Sequence, residues 1–156
     1  MDITIQPGFL RGEIQIIPSK SQAHRLLICA AFANNETTLV CPETNRDIEA
    51  TADCLTALGA EILRTESGYT VFPAKQIPEQ AKLNCCESGS TLRFLLPIVG
   101  ALGVDATFQM AGRLPQRPLS PLWEEMERMG CNLTRPTPDT IRCTGKLKAG
   151  AYRIDG

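Results

Sequence analysis

Leu58-Gly59-Ala60-Glu61-Ile62-Leu63 and Met129-Gly130-Cys131-Asn132-Leu133-Thr134 are one pattern written twice: an apolar helix end, a glycine, then the start of a strand. Glycine just past a helix takes the left-handed backbone that stops it. The glycines lie 71 residues apart, and Ser19-Lys20-Ser21 and Ser88-Gly89-Ser90, both at expected helix starts, lie 69 apart. Working outward, the first copy predicts a strand over Gly12–Pro18, a helix over Ser21–Ala33 and a strand over Thr37–Cys41. It continues with a helix over Asp47–Leu58 and two short strands, Glu61–Thr65 and Tyr69–Pro73, joined by a Ser67-Gly68 turn. The second copy predicts strands at Leu83–Cys86 and Ala106–Met110, helices at Ser90–Leu102 and Leu119–Met129, and strands at Asn132–Arg135 and Thr140–Cys143. The fold class is therefore α/β, a β-α-β-α-β-β unit that occurs twice. Ala151–Asp155 reads as the opening strand of a third copy, so the chain looks like a fragment. Such a unit cannot bury its own apolar faces, so the copies are expected to pack on one another.

The 156 residues suffice for one or two compact units, with 43% hydrophobic and 21% charged residues, as in ordinary globular proteins. A net charge of −1 excludes a generally basic nucleic-acid binder and makes any anion site local. No apolar run approaches the roughly 20 residues that span a bilayer. Met1-Asp2-Ile3-Thr4 lacks the basic and apolar regions of a signal peptide, which predicts a cytosolic protein. The seven cysteines, Cys29, Cys41, Cys54, Cys85, Cys86, Cys131 and Cys143, are odd in number and form no C-x-x-C pair. They read as reduced, mostly buried small hydrophobes rather than a disulfide framework or zinc site.

Three segments carry chemistry. Pro18-Ser19-Lys20-Ser21-Gln22-Ala23-His24-Arg25 opens a helix, with Ser19 or Ser21 able to cap it and Ser21 and Arg25 on one face. A helix N-terminus favours an anion, and Lys20 and Arg25 add to that; a capped surface helix with solvated bases would read the same. Glu87-Ser88-Gly89-Ser90-Thr91-Leu92-Arg93 is a second such junction, where glycine permits close approach to the backbone. In Gly112-Arg113-Leu114-Pro115-Gln116-Arg117-Pro118, prolines stiffen a loop that offers Arg117 to a carboxylate or phosphate. His24, the single histidine, has no recognisable triad partner and reads as structural or solvated; Trp123 reads as core. Asp47 and Glu49 suit a helix start and could also orient Lys20.

Together these segments resemble the N-terminal part of the 5-enolpyruvylshikimate-3-phosphate synthase family of shikimate-pathway transferases. Ser19-Lys20-Ser21-x-x-x-Arg25, Glu87-Ser88-Gly89-Ser90-Thr91-x-Arg93 and Gln116-Arg117-Pro118 match its motifs in order. The resemblance implies an inside-out α/β barrel of repeated units, incomplete here. Residues 1–12 would be a strand belonging with the missing domain. Residues 13–156 would be a partial substrate domain: repeat one at 13–80, repeat two at 81–148, and the start of a third at 149–156. It implies transfer of the enolpyruvyl group of phosphoenolpyruvate to the 5-hydroxyl of shikimate 3-phosphate with release of phosphate. It places Lys20 between both substrates, Ser21 and Arg25 on shikimate 3-phosphate, and Gly89 and Arg117 on phosphoenolpyruvate. Ser90 and Glu87 complete the set, Glu87 at a position where some members carry asparagine. Neither metal nor organic cofactor is implied, nor a nucleic-acid or membrane partner, and the full-length enzymes are expected to be monomeric. The acid/base residues would lie beyond Gly156, so the fragment alone is expected not to turn over. A UDP-sugar enolpyruvyl transferase is the nearer alternative, but its loop cysteine has no counterpart, since Gly112 stands at that position. A non-catalytic anion-binding half-module is the other.

Overall fold

Residues 3–4, 8–9, 11–14 and 16–154 are described by the computed structural model of the chain. Helix α1 spans Lys20–Ala31, strand β1 Thr37–Val40, helix α2 Arg46–Ala57, and strands β2 and β3 Glu61–Thr65 and Gly68–Phe72. The second copy supplies β4 (Gln80–Asn84), α3 (Gly89–Leu102), β5 (Asp105–Gln109), α4 (Leu122–Arg128), β6 (Cys131–Thr134) and β7 (Thr140–Gly145). The sheet orders are β1-β3-β2 and β4-β5-β7-β6. In both copies the last strand pairs antiparallel with its two neighbours, Leu39 opposite Tyr69 in the first and Phe108 opposite Ile141 in the second. Strand β4 adds a parallel partner on β5, with Leu83 opposite Phe108. The glycine pair sits where the pattern put it. Gly59 has φ +103° and Gly130 φ +110°, and a Cβ there would lie 2.5 Å from the Gln76 carbonyl oxygen or 2.9 Å from that of Lys146.

The helices lie inside and the sheets outside. Helices α1, α2 and α3 touch one another; the first sheet packs on α1 and α2, and the second on α2 and α3. This burial joins Leu27, Ile48, Leu55, Leu83, Leu95, Phe108 and Ile141 in one core. Each such side chain contributes about 2 kcal/mol by leaving water. Five of the seven cysteines are buried, and none is in a disulfide. Burial pushes the Cys143 thiol up to about 12. A hydrogen bond with Cys54, and then burial, raise that of Cys85.

Four expectations need correction. Gly12–Pro18 forms no strand among its described residues, and Ile14, Ile16 and Ile17 remain 86%, 74% and 72% exposed. Alternation names the face a segment could bury; a strand also needs a partner's backbone. An open groove of about 710 Å³ runs there between Ile16, Ile17, α1 and the edge of β1. Ala151–Ile154 opens no strand either, because its backbone is held by α4. The Arg128 guanidinium donates to the Ala151 carbonyl (2.7 Å), and the Arg153 N–H donates to Glu125 (2.6 Å). The Leu119–Met129 helix shortens to Leu122–Arg128, since Pro121 biases Ser120 away from helical backbone. Trp123 is half-buried against the core rather than within it, with the Arg135 guanidinium over its ring. Half of the residues expected in the strand over 1–12 lie outside the described residues.

Candidate functional site

The helix starts assemble the site. Ser19 has extended backbone (φ −67°, ψ 111°), and its Oγ accepts from the Gln22 N–H at 3.4 Å, so Lys20 is the first residue of α1. Asn45 caps α2 by accepting from the Asp47 and Ile48 N–H groups. The Lys20 ammonium donates to the Asp47 carboxylate at 2.9 Å. With the lysine 54% and the aspartate 35% exposed, the pair adds less than about 1 kcal/mol of stability. Its effect is to aim Lys20. The Arg25 guanidinium donates to the Ser21 carbonyl (2.8 Å) and lies 4.7 Å from the Phe94 ring centre, bringing α1 against α3.

Ser88 caps α3, its Oγ accepting from the Thr91 N–H at 3.3 Å, and no acidic residue stands in the first turn. A Cβ on Gly89 would lie 2.9 Å from an Arg93 Nη1 and 3.0 Å from an Arg117 Nη1. Two guanidiniums thus converge above bare backbone at a helix N-terminus, a geometry suited to phosphate or carboxylate. Arg93 is braced by the Pro118 carbonyl at 2.8 Å. Arg117 leaves a 3-10 turn, Leu114–Gln116, whose first carbonyl accepts its N–H. Glu87 turns to the same loop, accepting from the Arg113 N–H at 3.1 Å. An open cleft of about 810 Å³ is lined by these groups together with Arg46, Asp47, Ser90 and the exposed Cys86.

Beneath the cleft lies a buried polar chain. His24 (1% exposed) shares a 2.7 Å hydrogen bond from Nδ1 to the Thr51 hydroxyl. Thr51 meets the Thr91 hydroxyl at 2.7 Å, and Thr91 donates to Ser88 Oγ at 2.7 Å. Burial holds the His24 pKa below its usual value; nearby Asp47 opposes this, while Lys20 and Arg25 reinforce it.

The cleft gathers Glu87, Gly89, Ser90 and Arg117 of the expected set. Lys20 reaches it through Asp47, whereas Ser21 and Arg25 stay alongside on α1 and do not line it. Sequence reading gave no role to Arg46 and Arg93. The signal was available for Arg93, which stands four residues after Gly89 and so one turn along the same helix face.

Inward helices, outward sheets and a cationic cleft at helix N-termini define a duplicated α/β unit of the kind that can hold an anion. A family profile described as EPSP synthase (3-phosphoshikimate 1-carboxyvinyltransferase) matches residues 5–144, and the chain belongs to this family. A 3-phosphoshikimate 1-carboxyvinyltransferase of Clostridium beijerinckii is 35% identical over 99% of the chain and 38% of its own length. One from Clostridium kluyveri is 33% identical, covering 99% of the chain and 37% of that relative. The chain therefore spans little more than a third of these relatives. An EPSP synthase structure from Acinetobacter baumannii superposes with a TM-score of 0.75 at 22% identity, over 88% of this chain and 33% of that one. The enolpyruvyl transferase NikO from Streptomyces tendae shares the fold at a TM-score of 0.54 and 13% identity, over 86% of this chain and 32% of that one. Among the described residues no helix is long and apolar enough to cross a membrane.

Proposed function

We infer that this chain is the portion of a 3-phosphoshikimate 1-carboxyvinyltransferase that gathers both anionic substrates. In the reaction, C2 of phosphoenolpyruvate bonds to the 5-hydroxyl oxygen of shikimate 3-phosphate. The hydroxyl proton is lost and the bond from C2 to the phosphate oxygen breaks, releasing inorganic phosphate. The convergence of Arg93 and Arg117 on Gly89 carries this inference, because it supplies two forked donors and helix N–H groups to one small anion. Phosphoenolpyruvate is assigned to that cleft, with Ser90 at its side and Glu87 fixing the loop that bears Arg117. Shikimate 3-phosphate is assigned to Ser21 and Arg25, and Lys20 stands between the two and offsets their mutual repulsion. Residues 13–80 and 81–148 serve as two repeats of the substrate domain, with 149–156 leading onward and 1–12 belonging with the second domain. A cytoplasmic, monomeric full-length enzyme of aromatic amino acid biosynthesis is part of the same proposal, supported by family membership.

Amide chemical-shift titration of the 156-residue chain tests it. Shikimate 3-phosphate should move Ser21 and Arg25, and phosphoenolpyruvate should move Gly89, Ser90 and Arg117. Failure of both ligands to bind at millimolar concentration would overturn the assignment.

A further inference from the structure

The buried hydroxyl chain has a place in the fold that packing alone does not require. His24 lies on α1, Thr51 on α2, and Thr91 on α3 next to the cap residue Ser88. All four are nearly or completely buried, at 1%, 0%, 0% and 2% exposure. Among the described residues no buried side-chain polar atom is left without a partner. One orientation satisfies the chain: His24 Nδ1–H donates to Thr51, Thr51 to Thr91, and Thr91 to Ser88, so the two threonine hydroxyls each give once and take once, and Ser88 Oγ accepts from both the hydroxyl and the N–H of Thr91. The Thr51 and Thr91 hydroxyls also stand 3.4 and 3.3 Å from the Asp47 carbonyl, whose side chain aims Lys20. Thr51 thus touches His24 of α1, the Asp47 carbonyl at the start of α2 and Thr91 of α3.

We propose that Thr51 is a positioning residue, its hydroxyl locking the start of α1, which bears Lys20, Ser21 and Arg25, to the start of α3, which bears Gly89 and Ser90. Three helices packed only through Leu, Ile and Ala side chains could slide by fractions of an ångström at little cost. A directional chain of 2.7 Å bonds fixes their register, and an unmade bond in that interior is costly. The two anion positions are consequently coupled through a buried path rather than only across the open cleft. The inference rests on the functional reading above.

His24 is the only histidine, so its ring signals report on the chain without ambiguity. Phosphoenolpyruvate, which binds above Gly89 and touches no part of His24, should shift those ring signals in the unaltered protein. Thr51→Val keeps the shape but removes the hydroxyl; it should abolish that shift and weaken phosphoenolpyruvate about tenfold, while Thr51→Ser restores both. If Thr51→Val fails to fold, the ligand-induced His24 shift in the unaltered chain and its persistence in Thr51→Ser still decide the matter. A folded Thr51→Val with normal affinity, or a His24 ring unmoved at saturation, would overturn the positioning role alone. Absence of phosphoenolpyruvate binding by the unaltered chain would overturn the functional reading, and the positioning role with it.

Discussion

Lys20 and Gly89 are assigned to the proposed site for opposite reasons, one for what it presents and the other for what it lacks. Lys20 holds an ammonium at the head of α1 with Asp47 as its only ionic partner among the described residues. In an enzyme completed to the length of its relatives, Lys20→Met should cost about 3 kcal/mol in transition-state stabilisation, roughly a hundredfold in rate, with folding unchanged by circular dichroism. Steady-state kinetics with both substrates check this, and near-normal turnover would remove Lys20 from the site. At Gly89 a methyl group would press on two guanidiniums at 2.9 and 3.0 Å. Gly89→Ala should therefore raise the KM for phosphoenolpyruvate several-fold more than that for shikimate 3-phosphate; equal changes would make Gly89 a turn residue only. The positions of Lys20 and Gly89 at helix starts and of Arg117 in a proline-stiffened loop were legible because each has a local cause. Thr51 was not, since its partners lie 27 and 40 residues away and a threonine inside a helix announces nothing by itself.

At the scale of elements, the starts of α1 and α3 were readable from the serine-rich junctions that precede them, and the strand pairs from the glycines that turn into them. Elements that depend on a neighbour were not. The isoleucines of Gly12–Pro18 alternate correctly yet pair with nothing described, and residues 151–154 spend their polar backbone on α4. Helix α1 carries its own pH dependence through His24. Because the folded state depresses the His24 pKa below 6.5, the unfolded chain binds this proton first on acidification. Stability from a neutral His24 is therefore complete above about pH 7 and declines as pH falls through 6.5 towards the folded value. The depressed carboxylates, Glu125 at about 2 among them, lose their contribution only below about pH 4.5, so they add no pH dependence between pH 7 and 5.5. Urea midpoints should fall across that window while the His24 ring titrates below 6.5 by NMR. A flat midpoint would mean that the ring is hydrated in solution.

On the proposed reading the molecule as a whole supplies one wall of a larger cleft. It spans 37–38% of its clostridial relatives, and the space above Gly89 and Arg117 is open. The 156-residue chain should accordingly bind its anions but release no phosphate from them. A continuous phosphate assay at high protein concentration checks this, and sustained, protein-dependent release would show that the wall alone suffices. The two copies also differ in one respect that outlasts any ligand. Strand β5 lies between β4 and β7, whereas β1 has only β3 beside it among the described residues. An antiparallel neighbour engages only alternate amides, so half of those on β1 face outward unshared, while their counterparts on β5 are held from both sides. In deuterated water the duplication should thus come apart in time: β5 keeps its protons along its whole length, and β1 surrenders every second one early.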